Sequence, residues 1–259
     1  MGRLQKATLW TAGVAAVSLL ALTGYSALSG DGDEAGKGGD KPAASQGPGK
    51  DKDTYEPPAE WDEPGQWASL PRGERRDKHG NEVGFPHTPE GAVAQMLAAN
   101  STSASRGRSM AEEQMGVYDS YVSAADKSAA NRKKVQAGAV AAEEGMRKQL
   151  GIAADGQMPP GSYARTHPIG FQIIKQSKNE VSAYALSRVT LKAGETEKEQ
   201  GSYSRQLMAA RWEKGDWKLS TEATISATQQ TKGQAAPQIA APGDAAFTKA
   251  GWTAIREAS

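Results

Sequence analysis

The chain contains no cysteine. A disulfide scaffold, a lipidated cysteine, a thiolate metal site and a cysteine nucleophile are excluded together. Histidine is nearly as scarce. His79, His87 and His167 are the three present, and none has a His or Glu partner at the i, i+4 spacing of a helical metal site. No metal or other cofactor is expected. His87 precedes a helix cap and His167 precedes Pro168, so turn and loop roles are expected for both. A G-x-S-x-G elbow, a phosphate loop and a dinucleotide fingerprint are also missing. Serines are plentiful, but a serine needs a positioned base to act as a nucleophile, and no local context supplies one. No catalytic, cofactor-binding or metal-ligating residue is assigned, and the protein is expected not to be an enzyme. Net charge is lacking as well, at +1. Residues 65–259 carry 25 bases against 20 acids, spread along the chain, so direct nucleic-acid binding is not expected. Arg132-Lys133-Lys134 reads as one solvated helix face.

One long apolar run is present. Between Lys6 and Asp31, 24 residues pass without a charge, and Thr8 to Leu28 forms their apolar part. A helix needs roughly 20 such residues to cross a hydrocarbon core. Arg3 and Lys6 precede the run, while Asp31, Asp33 and Glu34 follow it. The positive-inside rule keeps residues 1–7 in the cytoplasm and sends the remainder across the membrane. A cleaved signal peptide, cut near Ala27, is the alternative, because Ala, Gly, Ser and Thr dilute the run. Residues 29–64 read as a disordered linker. Its residues 31–64 carry ten acids and four bases among Gly, Pro and Ser. A flexible coil of that length has an r.m.s. span of about 30–35 Å.

The expected extracytoplasmic domain covers residues 65–230. Trp67, Leu70, Val83 and Phe85 form a lead-in strap. Thr88-Pro89-Glu90 starts a helix, with a Thr cap and Pro at the first helical position. Ser109 to Glu112 has the capping-box spacing. Asp126 or Ser128 caps a further Ala-rich helix, closed by Gly151, which can merge with the one before it. After Pro159-Pro160-Gly161 the pattern changes to strands around Ile169 to Ile174, Val181 to Leu191 and Tyr203 to Trp212. A last strand begins at Trp217 and runs toward Thr221. Short turns between them, including Lys214-Gly215-Asp216, imply an antiparallel meander with one face under the helices. The tail, residues 231–259, is partly packed through Phe247, Trp252 and Ile255. The fold class is α+β: helices on a curved four-stranded antiparallel sheet.

This layout resembles the cystatin-like cone, also called the nuclear transport factor two-like fold. Trp212 to Leu219 is similar to the hairpin joining the last strands of such cones. Gly84 to Val93 is similar to the start of the cone in conjugative-element membrane proteins of Gram-positive bacteria. The architecture resembles TcpC-like proteins and the bitopic assembly subunit of type IV secretion systems. The resemblance implies a single-pass scaffold or channel subunit of a transfer apparatus. Its partners would be other membrane or channel proteins, or further copies of itself. Cones of the ketosteroid isomerase-like kind supply the enzymatic alternative, with Tyr118, Tyr121, Asp119, Tyr184 and His167 converging on a pocket. Trp61 and Trp67 are candidate partner contacts, while Trp212 and Trp217 are expected to pair across their hairpin.

Overall fold

The computed structural model describes residues 59–105, 107, 109–153 and 157–256. The expected membrane span and residues 29–58 of the expected linker lie outside them. No helix among the described residues is long and apolar enough to cross a membrane.

In chain order the elements are β1 (Trp67–Ala68), β2 (Arg75–Arg76), β3 (Glu82–Val83), α1 (Pro89–Asn100), β4 (Thr102–Ser105), α2 (Met110–Tyr121) and α3 (Ala129–Gln149). Then follow β5 (Tyr163–Gln176), β6 (Glu180–Lys192), β7 (Gln200–Glu213), β8 (Asp216–Leu219), α4 (Thr221–Gln230), α5 (Ala245–Lys249) and β9 (Thr253–Ile255). The mixed α+β class and the antiparallel β5-β6-β7-β8 meander match the sequence expectation.

The helix starts follow from capping chemistry. Thr88 Oγ1 accepts the Gly91 N–H at 3.1 Å, and Pro89 opens α1 without needing a donor. Ser109 and Glu112 form a reciprocal capping box on α2. Ser128, rather than Asp126, caps α3. Asp126 instead ends a short 3₁₀ turn, Ala124–Asp126, that keeps α2 and α3 separate. Helix α1 has no polar face. Ala92, Val93, Met96, Leu97 and Ala99 are all buried, which makes it the central helix between the sheet, the strap and α2.

The sheet is larger than the four strands expected. It has seven strands in the order β1-β9-β5-β6-β7-β8, with β4 also pairing β5. The outer edge of β5 is shared: β4 takes residues 163–166, and β9 takes Gly170 and Phe171. Register shifts at Pro168/Gly170 and Ile173/Lys175 mark irregularities that bend β5. Alternation along β6 sorts the two faces. Val181, Ala183 and Ala185 pack toward Val93, Met96, Val117, Tyr118 and Tyr121 of the helices. Leu186 faces the other way, against Ala240, Phe247, Trp252 and Ala254 from the C-terminal segment. A Cβ on Gly170 would stand 3.0 Å from the Phe247 ring, so glycine there lets that ring lie on the sheet.

Two expectations change at the C-terminal side. The strand from Trp217 stops at Leu219, because Ser220 accepts the Ala223 N–H and starts α4. The tail beyond residue 230 then crosses the outward face and supplies β9, which pairs in parallel with β1. The chain's N-terminal approach is tied to this tail as well. Asp62 N donates to Gly243 O at 2.8 Å, and Gly65 N donates to Thr248 Oγ1 at 3.0 Å.

Candidate interaction surface

The residues named for an isomerase-like pocket do not come together. Tyr118 and Tyr121 are buried on the helix side of the sheet, in the main core. Tyr118 is held by the start of α3: its hydroxyl lies 3.4 Å from the carbonyls of Asp126 and Ser128 and accepts the Ser128 N–H at 3.2 Å. Burial raises the pKa of both tyrosines, so neither is poised to ionise. Tyr184 and His167 belong to the opposite face. Tyr184 packs beside Leu186, and His167 stands across from Arg188, which shares the parity of Leu186.

Asp119 and His79 meet instead at the surface of α2, where the strap crosses it. Arg132 grips Asp119 through both guanidinium nitrogens, Lys127 Nζ donates to its backbone carbonyl at 2.6 Å, and His79 Nε2 lies 3.5 Å from its carboxylate. Beside it, Asp77 accepts from Ser120 Oγ at 2.5 Å and from the backbone N–H groups of His79 and Asn81. Burial pushes the Asp77 carboxyl up, but these donors outweigh it and hold its pKa below the usual aspartate range. The cluster fastens the β2–β3 strap to α2. Asp77, Asn81, Asp119, Ser120 and Arg132 are all hydrogen-bonded within it, so it reads as a latch.

His87 has a defined place too. Its ring stacks on Trp212 with centroids 3.9 Å apart and meets the edge of Trp217 at 5.6 Å. Trp212 and Trp217 are cross-strand partners in edge contact, as their positions beside the turn predicted. Trp217 is fully buried and donates Nε1–H to Pro86 O at 2.8 Å. Trp252 is equally buried and belongs to the tail's core. Trp61 is 64% exposed, with Glu63 bridging its indole and that of Trp67.

Part of the sheet's outward face lies beyond the C-terminal covering. Cross-strand rows there run His167–Arg188–Tyr203 and Arg165–Thr190–Gly201, ending at Tyr163–Lys192. Arg165, His167 and Arg188 are exposed. The Arg165 guanidinium lies 4.1 Å over the Tyr163 ring. The Tyr163 hydroxyl donates to Glu199, which raises its pKa, and Arg188 Nη2 donates to the same carboxylate at 3.2 Å. Arg205 borders the patch, its guanidinium turned to Pro237 O; partial burial lowers its pKa. Arginine and tyrosine over a firm sheet are the residue types that dominate protein contacts. Sequence reading missed this surface because it placed the first strand at Ile169. The signal was present in Tyr163, Arg165 and His167, which alternate with Ala164, Thr166 and Pro168.

No protein-family model, curated protein or solved structure matches the chain.

Proposed function

We propose that the protein is a non-enzymatic, single-pass membrane scaffold or channel subunit of a conjugative transfer or type IV-like secretion apparatus. It acts through protein contacts of a cystatin-like domain held outside the cytoplasm. Residues 8–28 fix its position, and the acidic linker sets its reach. The observation that carries this reading is the division of the candidate catalytic set between the two faces of the sheet, beside an open surface of arginine and tyrosine. Tethering raises local concentration, so individually weak contacts suffice for assembly. Crosslinking in intact cells, followed by detergent solubilisation, tests it. Other transfer proteins should co-purify from the membrane fraction. Recovery of the chain without such partners, or from the soluble fraction, refutes it.

A ligand-binding domain is the second reading, favoured by one observation. Gln95 and Gln114 are buried, and among the described residues neither amide nitrogen nor oxygen has a hydrogen-bond partner. Buried unsatisfied groups cost about 1–3 kcal/mol each, so ordered water or a small polar ligand would complete them. Native mass spectrometry of the purified chain distinguishes a retained ligand from water.

A further inference from the structure

The long strands gather cations at one end of the outward face. Thr190 of β6 lies opposite Arg165 of β5 and Gly201 of β7. Arg188 and Lys192 flank Thr190 on the same strand and face. Arg165 is the diagonal neighbour of both, at about 7–8 Å. Ser103 of β4 continues the row beyond Arg165. The row Ser103–Arg165–Thr190–Gly201 therefore carries two hydroxyls, and three cations surround Thr190. All six residues are exposed or half-buried.

Like charges at this spacing repel unless an anion lies among them. Glu199 is the one acid that pairs with them. It accepts from Arg188 Nη2 at 3.2 Å and from the Tyr163 hydroxyl. Neither Arg165 nor Lys192 has an ion-pair partner among the described residues. No acid occurs in residues 163–176, 181–192 or 200–212. Glu195 and Glu197, from the same loop as Glu199, lie against Gly161 and beside Gln149. Glu199 alone leaves a surplus of two positive charges on Arg165, Arg188 and Lys192. The cations are also held in place. Arg165 rests on the Tyr163 ring, and Arg188 lies across Gly201, where an added Cβ would stand 3.8 Å from its Nε.

We propose that this end of the sheet binds the phosphate monoester group of a soluble ligand, seated over Thr190. Such a group carries about −1.5 to −2 charge at neutral pH and three strong acceptor oxygens. That charge matches the surplus, whereas a second carboxylate would halve it. The oxygens suit the guanidinium forks of Arg165 and Arg188, the Lys192 ammonium and the Thr190 hydroxyl. The Arg188–Glu199 pair is exposed and therefore weak, so Glu199 yields to the incoming anion. A membrane surface fits less well. The large exposed apolar side chains among the described residues are Trp61, Val140 and Ile225, and none belongs to these strands. This goes beyond the scaffold reading and does not rest on the membrane anchor.

The test is a titration of the full chain, labelled with nitrogen-15 at arginine and purified in neutral detergent. Inorganic phosphate, above its second pKa, is compared with chloride at equal ionic strength. The Arg165 and Arg188 Nε–H signals should move saturably with phosphate and stay in place with chloride. Lys192→Gln should raise the apparent Kd about fivefold or more. Lys178→Gln removes the same charge at the exposed turn at the far end of β6 and should leave Kd unchanged. Glu199→Gln should tighten binding, because a competing carboxylate is gone. Circular dichroism verifies that each variant is folded. The proposal is overturned if chloride moves the same signals, or if Lys192→Gln binds no more weakly than Lys178→Gln. It is equally overturned if phosphatidylglycerol vesicles move the signals and inorganic phosphate does not. The titration needs no partner protein, so a failure of the transfer-apparatus reading in cells remains distinguishable.

Discussion

Gly91→Ala should unfold this protein more readily, although alanine is the better helix former. Gly91 is the third residue of α1. Replacing a helical glycine by alanine normally gains about 0.5–1 kcal/mol. Here an added Cβ would stand 2.0 Å from Pro86 O, a backbone atom that cannot rotate away. That oxygen accepts from Thr88 N and from Trp217 Nε1, both at 2.8 Å. Relief of the clash moves Pro86 and weakens both bonds, leaving a fully buried indole N–H without its acceptor. An orphaned buried donor costs about 1–3 kcal/mol, and overpacking costs about as much again. The net loss is about 2–4 kcal/mol. For a chain of this size that lowers Tm by about 5–15 °C. Gly138→Ala in α3 is the matched control, since a Cβ there meets nothing within 4 Å. It should gain about 0.5–1 kcal/mol. Thermal melts followed by circular dichroism read both variants. If Gly91→Ala melts at or above the parent temperature, Pro86 does not press on α1 and the packing of the strap is misjudged.

Three further outcomes follow from the same contacts. Trp252→Ala should cost about 3–5 kcal/mol in urea unfolding, because a buried indole and its bond to Gln238 O at 2.7 Å are lost. Wild-type stability in Trp252→Ala would refute the tail's place in the core. Ser109→Ala should cost about 1 kcal/mol by removing the capping box of α2, whereas Ser109→Asp should retain most of it. The Asp77 carboxyl has its folded pKa depressed below that of an unfolded aspartate, so its stabilisation is present above the unfolded pKa and disappears as pH falls through the folded one. Asp77→Asn should therefore differ from the parent at pH 7 and converge with it in acid melts; a constant difference across that range would contradict the latch.

Local chemistry explains what was legible. Thr88-Pro89 and the Ser109–Glu112 pair act within one helical turn, so their residues alone set the start of α1 and α2. Lys214-Gly215 fixes its hairpin because glycine readily takes the positive φ that the turn needs. The long strands were recognised where apolar residues alternate and were cut short where they do not. Tyr163 to Pro168 carries its alternation in polar residues, and it extends as a strand because β4 and β6 supply partners on both sides. The end of β8 was misread for a related reason: Ser220 is a tolerable strand residue until the chain bends and it becomes a helix cap.

By itself, the sequence determined the α+β class, the caps of α1 and α2, the meander order and the exclusion of cysteine chemistry. Each depends on residues close together in the chain or on composition. Only the tertiary structure decided that Tyr118 and His167 lie on opposite faces and that the tail supplies β9. Those facts depend on register and on which segments cross which face. A shift of one residue in a strand reverses every side chain on it, and no local pattern in one segment records where a distant segment will come to rest.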